Sequence, residues 1–326
     1  MSIVAYLKDI GRGKQGARSL GTPQAEDLMR QIFDGRVSDL QLGAFAIAMR
    51  IKGESPAELA GFVAAAQAHL APAIAAAIEG GTRPVVWLPS YNGARKLPNL
   101  TPLLAGMLAQ QGLAVIVHGR PADPARVTSH DVFRALGWSV VAAASDAAVI
   151  GHAWQTGRPV FITTEALCPP LARLLDVRHE VGLRNAGHTV CKLLALRAAR
   201  PFSALRVVNH THPEYAVSLA QYLAEARADA LLLRGTEGEP VADARRTPRM
   251  EAFVAGQRVE ALGVPGQGGV LVRVPALPSA IDAATTAGFI QAILAGAGAA
   301  PSPIQTQASA IVALAQASAN TLEQAA

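Results

Sequence analysis

Cysteine is scarce in this sequence: Cys168 and Cys191 are the two thiols in 326 residues. Two distant cysteines make neither a disulfide framework nor a zinc site. Aromatic residues are also few, with 8 Phe, 3 Trp and 4 Tyr, so a base-stacking platform is excluded as a main source of affinity. The core must then rest on Ala, Leu, Val and Ile. Long apolar runs are missing. The Ala-rich stretch from Ala64 to Ala77 is broken by Gln67, His69 and Pro72, which leaves no transmembrane length. The opening MSIVAYLKDIGRGK holds too short an apolar segment for a secretory signal. A cytoplasmic chain without a membrane partner is the expectation. Charge is low at 16% against 51% hydrophobic residues, a balance that excludes bulk disorder and allows one large domain or two of ordinary size.

The charge that is present is unevenly spread. The formal net charge is +5, mild for this length. Between Arg173 and Arg206 lie Arg173, Arg178, Arg184, Lys192, Arg197, Arg200 and Arg206, opposed only by Asp176 and Glu180. A second cluster, Lys8, Arg12, Lys14 and Arg18, meets Asp9 alone. Such clusters are either solvated helix faces or the footprint of an anionic partner.

Helical signals fill the first 70 residues. Thr22-Pro23 reads as an N-cap followed by proline, Ser38 to Gln41 and Ser55 to Glu58 as capping boxes. Gly80-Gly81 and Pro84 mark a boundary. Apolar runs then alternate with helical stretches: strands at Val85–Leu88, Ala114–Val117, Val140–Val141, Pro159–Ile162, Leu205–Val208 and Ala230–Leu233, with helices between them, including one from about Asn185 to Leu196. This alternation predicts an α/β fold with a mainly parallel sheet behind a small N-terminal helical domain. Residues 1–80 with about 168–200 are assigned to the helical domain, and 81–167 with 201–326 to the α/β domain.

Several segments offer chemistry. The loop Pro89 to Lys96 follows a strand, where α/β folds bind ligands. It holds Tyr91, Asn92, one glycine at Gly93 and no carboxylate, and ends in Arg95-Lys96. Arg184, His188 and Lys192 are four apart and would share one helix face, repelling one another unless an anion sits there. His118-Gly119-Arg120 also ends a strand; Arg120 reads either as a phosphate contact or as a solvated loop residue. Glu237 and Glu239 end another strand, as turn residues or as metal ligands. His210 and His212 lack a third ligand at motif spacing and read as a strand-to-helix turn. Cys191 sits among Val190, Leu193 and Leu194, a small core thiol rather than a nucleophile. Neither a metal site nor a cofactor is expected.

The order of elements, with Asp39-Leu40-Gln41-Leu42-Gly43-Ala44-Phe45 and Arg50-Ile51-Lys52-Gly53-Glu54, resembles anthranilate phosphoribosyltransferase over almost the whole chain. The departures are specific. Pro89-Ser90-Tyr91-Asn92-Gly93 stands where that family has a GTGGD pyrophosphate loop. Asn99-Leu100-Thr101 stands for its NxST element, and Val117-His118-Gly119-Arg120 for its KHGNR. One carboxylate of its magnesium pair remains in register, near Glu239. Arg184 matches the arginine set against anthranilate. Asp9 to Lys14, Pro89 to Lys96, Asn185 to Lys192, Cys168-Pro169-Pro170, His212 to Tyr215 and Gly235 to Glu239 are similar to the YbiB branch.

That resemblance implies a homodimer joined through the helical domain, binding DNA or RNA through phosphate contacts without sequence preference, and lacking phosphoribosyl transfer. The contacts expected from the basic clusters are Arg12, Lys14, Arg18, Arg95, Lys96, Arg173, Arg178, Arg184, His188 and Lys192. Tyr91, Asn92, Gly93, Asn99, His118, Gly119, Arg120, Glu237 and Glu239 are left as a degenerate cleft with no catalytic residue. Pro89 has no N–H to offer a diphosphate, which supports the same expectation. The alternative is a phosphoribosyltransferase with an aromatic or base acceptor.

Overall fold

Capping chemistry sets the helical bundle. In a computed structural model that describes residues 3–196, 204–273 and 275–324, α1 (Ile3–Ile10) and α2 (Gly13–Gly16) are followed by α3 (Thr22–Phe33), α4 (Asp39–Lys52), α5 (Pro56–Ala68) and α6 (Pro72–Glu79). The Ser38 and Ser55 hydroxyls accept from the backbone N–H of Gln41 and Glu58, each at 3.3 Å. The first cap differs from expectation by one residue. Gly21 is the N-cap of α3 and its N–H donates to Gln24 Oε1 at 3.0 Å, while the Thr22 hydroxyl donates to the Ala57 carbonyl at 3.1 Å. Thr22 thereby ties α3 to α5, whose close approach needs Gly61: a Cβ there would lie 2.6 Å from the Glu26 nitrogen. Glu58, fully buried, accepts from Leu20 N–H at 3.0 Å and from Lys52 Nζ at 2.6 Å. Its charge is thus paired inside the bundle, as a buried carboxylate requires.

After the bundle come β1 (Val85–Pro89), α7 (Thr101–Gln110), β2 (Ala114–Gly119), α8 (Ser129–Ala135), β3 (Val140–Val141), α9 (Ala148–Gln155), β4 (Val160–Thr163) and α10 (Thr164–Leu167). Then follow α11 (Pro169–Val181), α12 (Gly187–Leu193), β5 (Ala204–His210), α13 (Pro213–Glu225), β6 (Asp229–Arg234), β7 (Met250–Val254), β8 (Gln257–Arg258), α14 (Ala283–Leu294) and α15 (Ser302–Gln324). Among the described residues one sheet runs in the order β3-β4-β2-β1-β5-β6-β7-β8, parallel from β3 through β6 and antiparallel at the last two pairings. Val85 of the central β1 faces Ala114 on one side and Ala204 on the other. Every residue of β1 is buried, as expected of a parallel strand covered on both faces. Val85 and Trp87 join the core shared with the bundle, whereas Val86 and Leu88 pack with α7, α14 and α15 on the opposite face. No single helix among the described residues is long and apolar enough to cross a membrane.

The helix expected from about Asn185 to Leu196 is shorter, Gly187–Leu193. Asn185 turns the chain first: its Oδ1 accepts from Gly187 N–H at 3.0 Å and its Nδ2 donates to the Leu174 carbonyl at 2.7 Å. Beyond Leu193 the backbone is spent on docking, with Gln67 donating to the Ala195 carbonyl and the Trp87 indole to that of Leu196, both at 2.9 Å.

Candidate functional site

Three strand ends meet at one loop. β1 delivers residues 89–97, β2 ends at His118-Gly119, and β6 leads into the Thr236–Glu239 turn. The approach is so close that a Cβ on Gly119 would collide with the Ser90 carbonyl, and one on Gly235 with that of Glu239. Glu239, buried, fills the centre. Its carboxylate accepts from the N–H of Asn92 at 3.1 Å and Gly93 at 2.7 Å, from Thr101 Oγ1 at 3.2 Å and from Ser90 Oγ. Burial pushes its carboxyl pKa up, and these donors oppose the rise.

Glu237 holds the outer half of the loop. Its carboxylate accepts from the N–H of Arg95 at 3.0 Å, Lys96 at 3.0 Å and Leu97 at 3.2 Å. Successive N–H groups aimed at one point form an anion-binding concavity, and here the anion is the chain's own side chain. Glu237 adopts a φ of 54°, a left-handed conformation costing an ordinary residue about 1–2 kcal/mol, offset by its three charge-assisted hydrogen bonds. Gly238 follows with a φ of 91°. Both carboxylates thus lie on the β1 loop, although the register with the resembling family retained one. Their partners are all donors, so in this conformation they do not fit a metal. Among the described residues there is no cluster of three or more His, Cys, Asp or Glu suited to one.

Beside the loop a cleft of about 340 Å³ opens between the end of α4, α12 and the start of α13. Arg50, Glu54, Tyr91, Arg184, His188, Lys192 and Tyr215 line it. Arg184 donates to Asn92 Oδ1, and Asn92 Nδ2 to the Glu237 carbonyl, so cleft and loop share one hydrogen-bonded chain. The expected trio of Arg184, His188 and Lys192 does converge here, but not as one helix face, because Arg184 precedes α12. Burial brings the Lys192 ammonium down to about 8, Arg184 adding to the fall and Glu54 opposing it. Burial, then Arg184, pushes His188 down to about 3. His188 is therefore neutral near pH 7, and its ring sits edge-on to Tyr91 with centroids 5.9 Å apart.

Other expected site residues are engaged elsewhere. Arg120 pairs with Glu165 at 3.0 Å and Asp176 at 2.6 Å, so it is not free for a phosphate. Asn99 turns the chain just before α7, accepting from Thr101 N–H at 3.2 Å and donating to the Val127 carbonyl at 3.2 Å. His118 is buried and neutral, burial holding it near 3, with its Nδ1 4.0 Å from Cys191 Sγ. Burial pushes the Cys191 thiol up to about 12, as befits an inert core residue.

The basic stretch is not one open face. Arg173 donates to the Phe33 carbonyl at 3.1 Å, Arg178 pairs with Asp123 at 2.8 Å, and Lys192 turns into the cleft. Arg206 lies on β5 and donates inward to the Leu193 carbonyl at 3.1 Å. Arg197 and Arg200 fall outside the described residues. Arg12, its Nε bonded to the Lys8 carbonyl at 3.0 Å, and Arg18 are exposed on the bundle; Lys14 belongs to α2. Arg95 and Lys96 are exposed with their backbone N–H groups turned to Glu237. Sequence reasoning missed Ser90 and Thr101 as partners of Glu239, and Arg50, Glu54 and Tyr215 as cleft residues. Short-range spacing holds no signal for groups brought together from four distant segments.

Residues 4–70 match the helical bundle domain of a glycosyl transferase family. The chain is 40% identical to the protein YbiB of Escherichia coli (strain K12) over 305 residues, 92% of this chain and 90% of that one. It is 27% identical to the anthranilate phosphoribosyltransferase of Thermus thermophilus over 213 residues, 65% of this chain and 61% of that enzyme. The crystal structure of anthranilate phosphoribosyltransferase from Thermus thermophilus superposes with a TM-score of 0.67 at 20% identity, covering 99% of this chain and 100% of that one. These likenesses overturn the expectation of a chain without enzymatic activity: the sequence similarity points to a transferase.

Proposed function

We propose that this chain, which belongs to the YbiB family, is a transferase of the phosphoribosyl class acting on an aromatic or base acceptor. The observation that carries the reading is the continuity of cleft and loop through Arg184, Asn92 and Glu237. The cleft suits a planar anion: Arg50, Arg184 and Lys192 supply charge, and Tyr91 and Tyr215 supply rings. The loop suits the group that departs once Glu237 is displaced from the N–H groups of Arg95, Lys96 and Leu97. Transfer from a sugar diphosphate places negative charge on the leaving diphosphate, and preorganised N–H donors stabilise charge that develops in a transition state. His188, neutral near pH 7, contributes packing and orientation rather than an imidazolium proton.

Calorimetry of the full chain with phosphoribosyl pyrophosphate, with and without magnesium, and then with anthranilate as a probe acceptor, tests the reading. Saturable binding of both is expected, with Arg184→Ala weakening anthranilate by about tenfold or more, the loss of one charge-assisted contact. Absence of binding by wild type and by variants at Glu237 overturns it. Acceptor affinity should also depend on pH. Lys192 is charged at pH 7 and loses its proton as pH rises through about 8, so an anionic acceptor binds more weakly at pH 9. Lys192→Arg, charged throughout, should flatten that decline. An unchanged slope in the arginine variant assigns the titration elsewhere.

A second reading has its own support. Arg18, Arg95 and Lys96 are exposed, and their side chains have no ion-pair partner among the described residues. Leu40, Ile47 and Ile51 leave an exposed apolar stripe on α4, suited to a homodimer joined through the helical domain. Two copies would extend these cations into a track for a DNA or RNA backbone. Oligonucleotide binding should then fall with salt at a log–log slope of roughly −0.7 to −0.9 per phosphate contacted; salt-independent binding sinks this reading.

A further inference from the structure

The first turn of α13 separates two concavities. Thr211, His212, Glu214 and Tyr215 face the cleft described above, whereas Pro213 and Ala216 face a separate cavity of about 320 Å³. This cavity lies at the carboxyl ends of β5 and β6, whose last residues, His210 and Arg234, line it. In open α/β sheets that edge is where ligands bind. Arg246 and Arg249 complete the rim.

The charges here do not balance. Asp243 already holds Arg245 through both carboxylate oxygens at 2.9 Å, which leaves Arg246 a loose contact at 3.7 Å. Glu251 is shared between Arg249 at 3.1 Å and Arg258 at 3.0 Å. Arg234 is exposed, and its side chain has no partner among the described residues. Three guanidinium groups therefore surround one small cavity against a single lining carboxylate, Glu251, which is divided between Arg249 and Arg258. His210 adds a buried Nδ1 that has no hydrogen-bond partner among the described residues. The helix contributes in the same sense. α13 is 13 residues long, and His212 makes no side-chain cap. Glu214 in its first turn faces the other cleft and answers part of the positive end from that side.

We propose that this cavity is a second anion site, taking a phosphate group on the arginine forks of Arg234, Arg246 and Arg249. Planar guanidinium groups match phosphate oxygens in pairs. The volume is at the low end of small-ligand pockets, room for a phosphate with a short organic body rather than a duplex. Its cations come from the Asp243 to Arg249 segment and β6, none of which lines the acceptor cleft.

Calorimetric titration of the full chain with inorganic phosphate and with glycerol 3-phosphate tests the site. The double variant Arg234→Ala/Arg249→Ala should bind both probes at least tenfold more weakly. Both side chains are exposed, so folding should be retained, with circular dichroism as the check. Arg184→Ala, in the other cleft, should leave phosphate affinity in this cavity unchanged. Tighter binding of glycerol 3-phosphate assigns the site to a phosphorylated small molecule, and equal binding assigns it to free phosphate. The proposal falls if the double variant binds phosphate as wild type does, or if Arg184→Ala abolishes phosphate binding. It also falls if the double variant loses only oligonucleotide binding, since the arginines then serve a nucleic acid.

Discussion

Glu239→Ala should destabilise the chain by about 3 kcal/mol or more, the largest single-residue effect expected at this site. The carboxylate is 1% exposed and accepts from two backbone N–H groups and two hydroxyls. Alanine leaves two N–H groups and the Thr101 hydroxyl without an acceptor, while the Ser90 hydroxyl keeps Ser129 Oγ at 2.6 Å, and each buried donor left unmade costs about 1–3 kcal/mol. Water entering the hole would recover part of that. The loss is also structural, because Glu239 is what joins the β6 turn to the β1 loop and to the first residue of α7. Glu239→Gln keeps the shape. One of its polar ends is a donor, but the Ser90 and Thr101 hydroxyls can rotate to accept from it. The glutamine variant should therefore lie between alanine and wild type. Denaturant titration gives the free energies, and the alanine variant should melt at least about 5 °C lower. A melting temperature within about 1 °C of wild type means that the carboxylate is not the keystone of the loop.

Glu237→Gly should raise the affinity for free pyrophosphate by tenfold or more. Wild type presents the N–H groups of Arg95, Lys96 and Leu97 already bonded to the Glu237 carboxylate, so an incoming anion must displace an intramolecular competitor. The competitor has the advantage of proximity, since its own binding costs no translational freedom. Removing it leaves three aligned donors beside two exposed cations. Glycine is the informative replacement because it accepts the φ of 54° without strain, which separates loss of the carboxylate from collapse of the turn. Glu237→Gln, which keeps the side chain but not the charge, should show a smaller gain in the same direction. Unchanged or weaker pyrophosphate binding in both variants rules out Glu237 as the occupant that a ligand must displace.

Local signals were legible where a few neighbouring residues settle the matter. The Ser38 and Ser55 capping boxes, the apolar β1 run, and proline at the start of α11 and α13 placed their elements within a residue or two. The bundle followed by a mostly parallel sheet was legible for the same reason. The helix from Asn185 was not, because the Asn185 side chain bonds to Leu174, eleven residues earlier, and turns the chain. The strand β7 was not legible either: Met250–Val254 is short, and its pairing with β6 in antiparallel sense is set by the β6 edge rather than by its own pattern. Charge was the least readable quantity. Arg206 and Lys192 count as surface cations by composition, yet one donates into the interior and the other lines the cleft.

The sequence by itself determined the order of elements and the buried character of the strands. Helix caps and apolar periodicity act over three or four residues, so the amino-acid order states them directly. Only the tertiary structure decided what the loop holds. Glu237 is 142 residues from Arg95, and Glu239 is 146 from Gly93; no spacing rule connects them. The β1, β2 and β6 ends must first be brought edge to edge by the sheet. Only then does a turn residue become the anion in the concavity, and a basic loop with no carboxylate of its own is found holding Glu237 and Glu239 from the β6 turn.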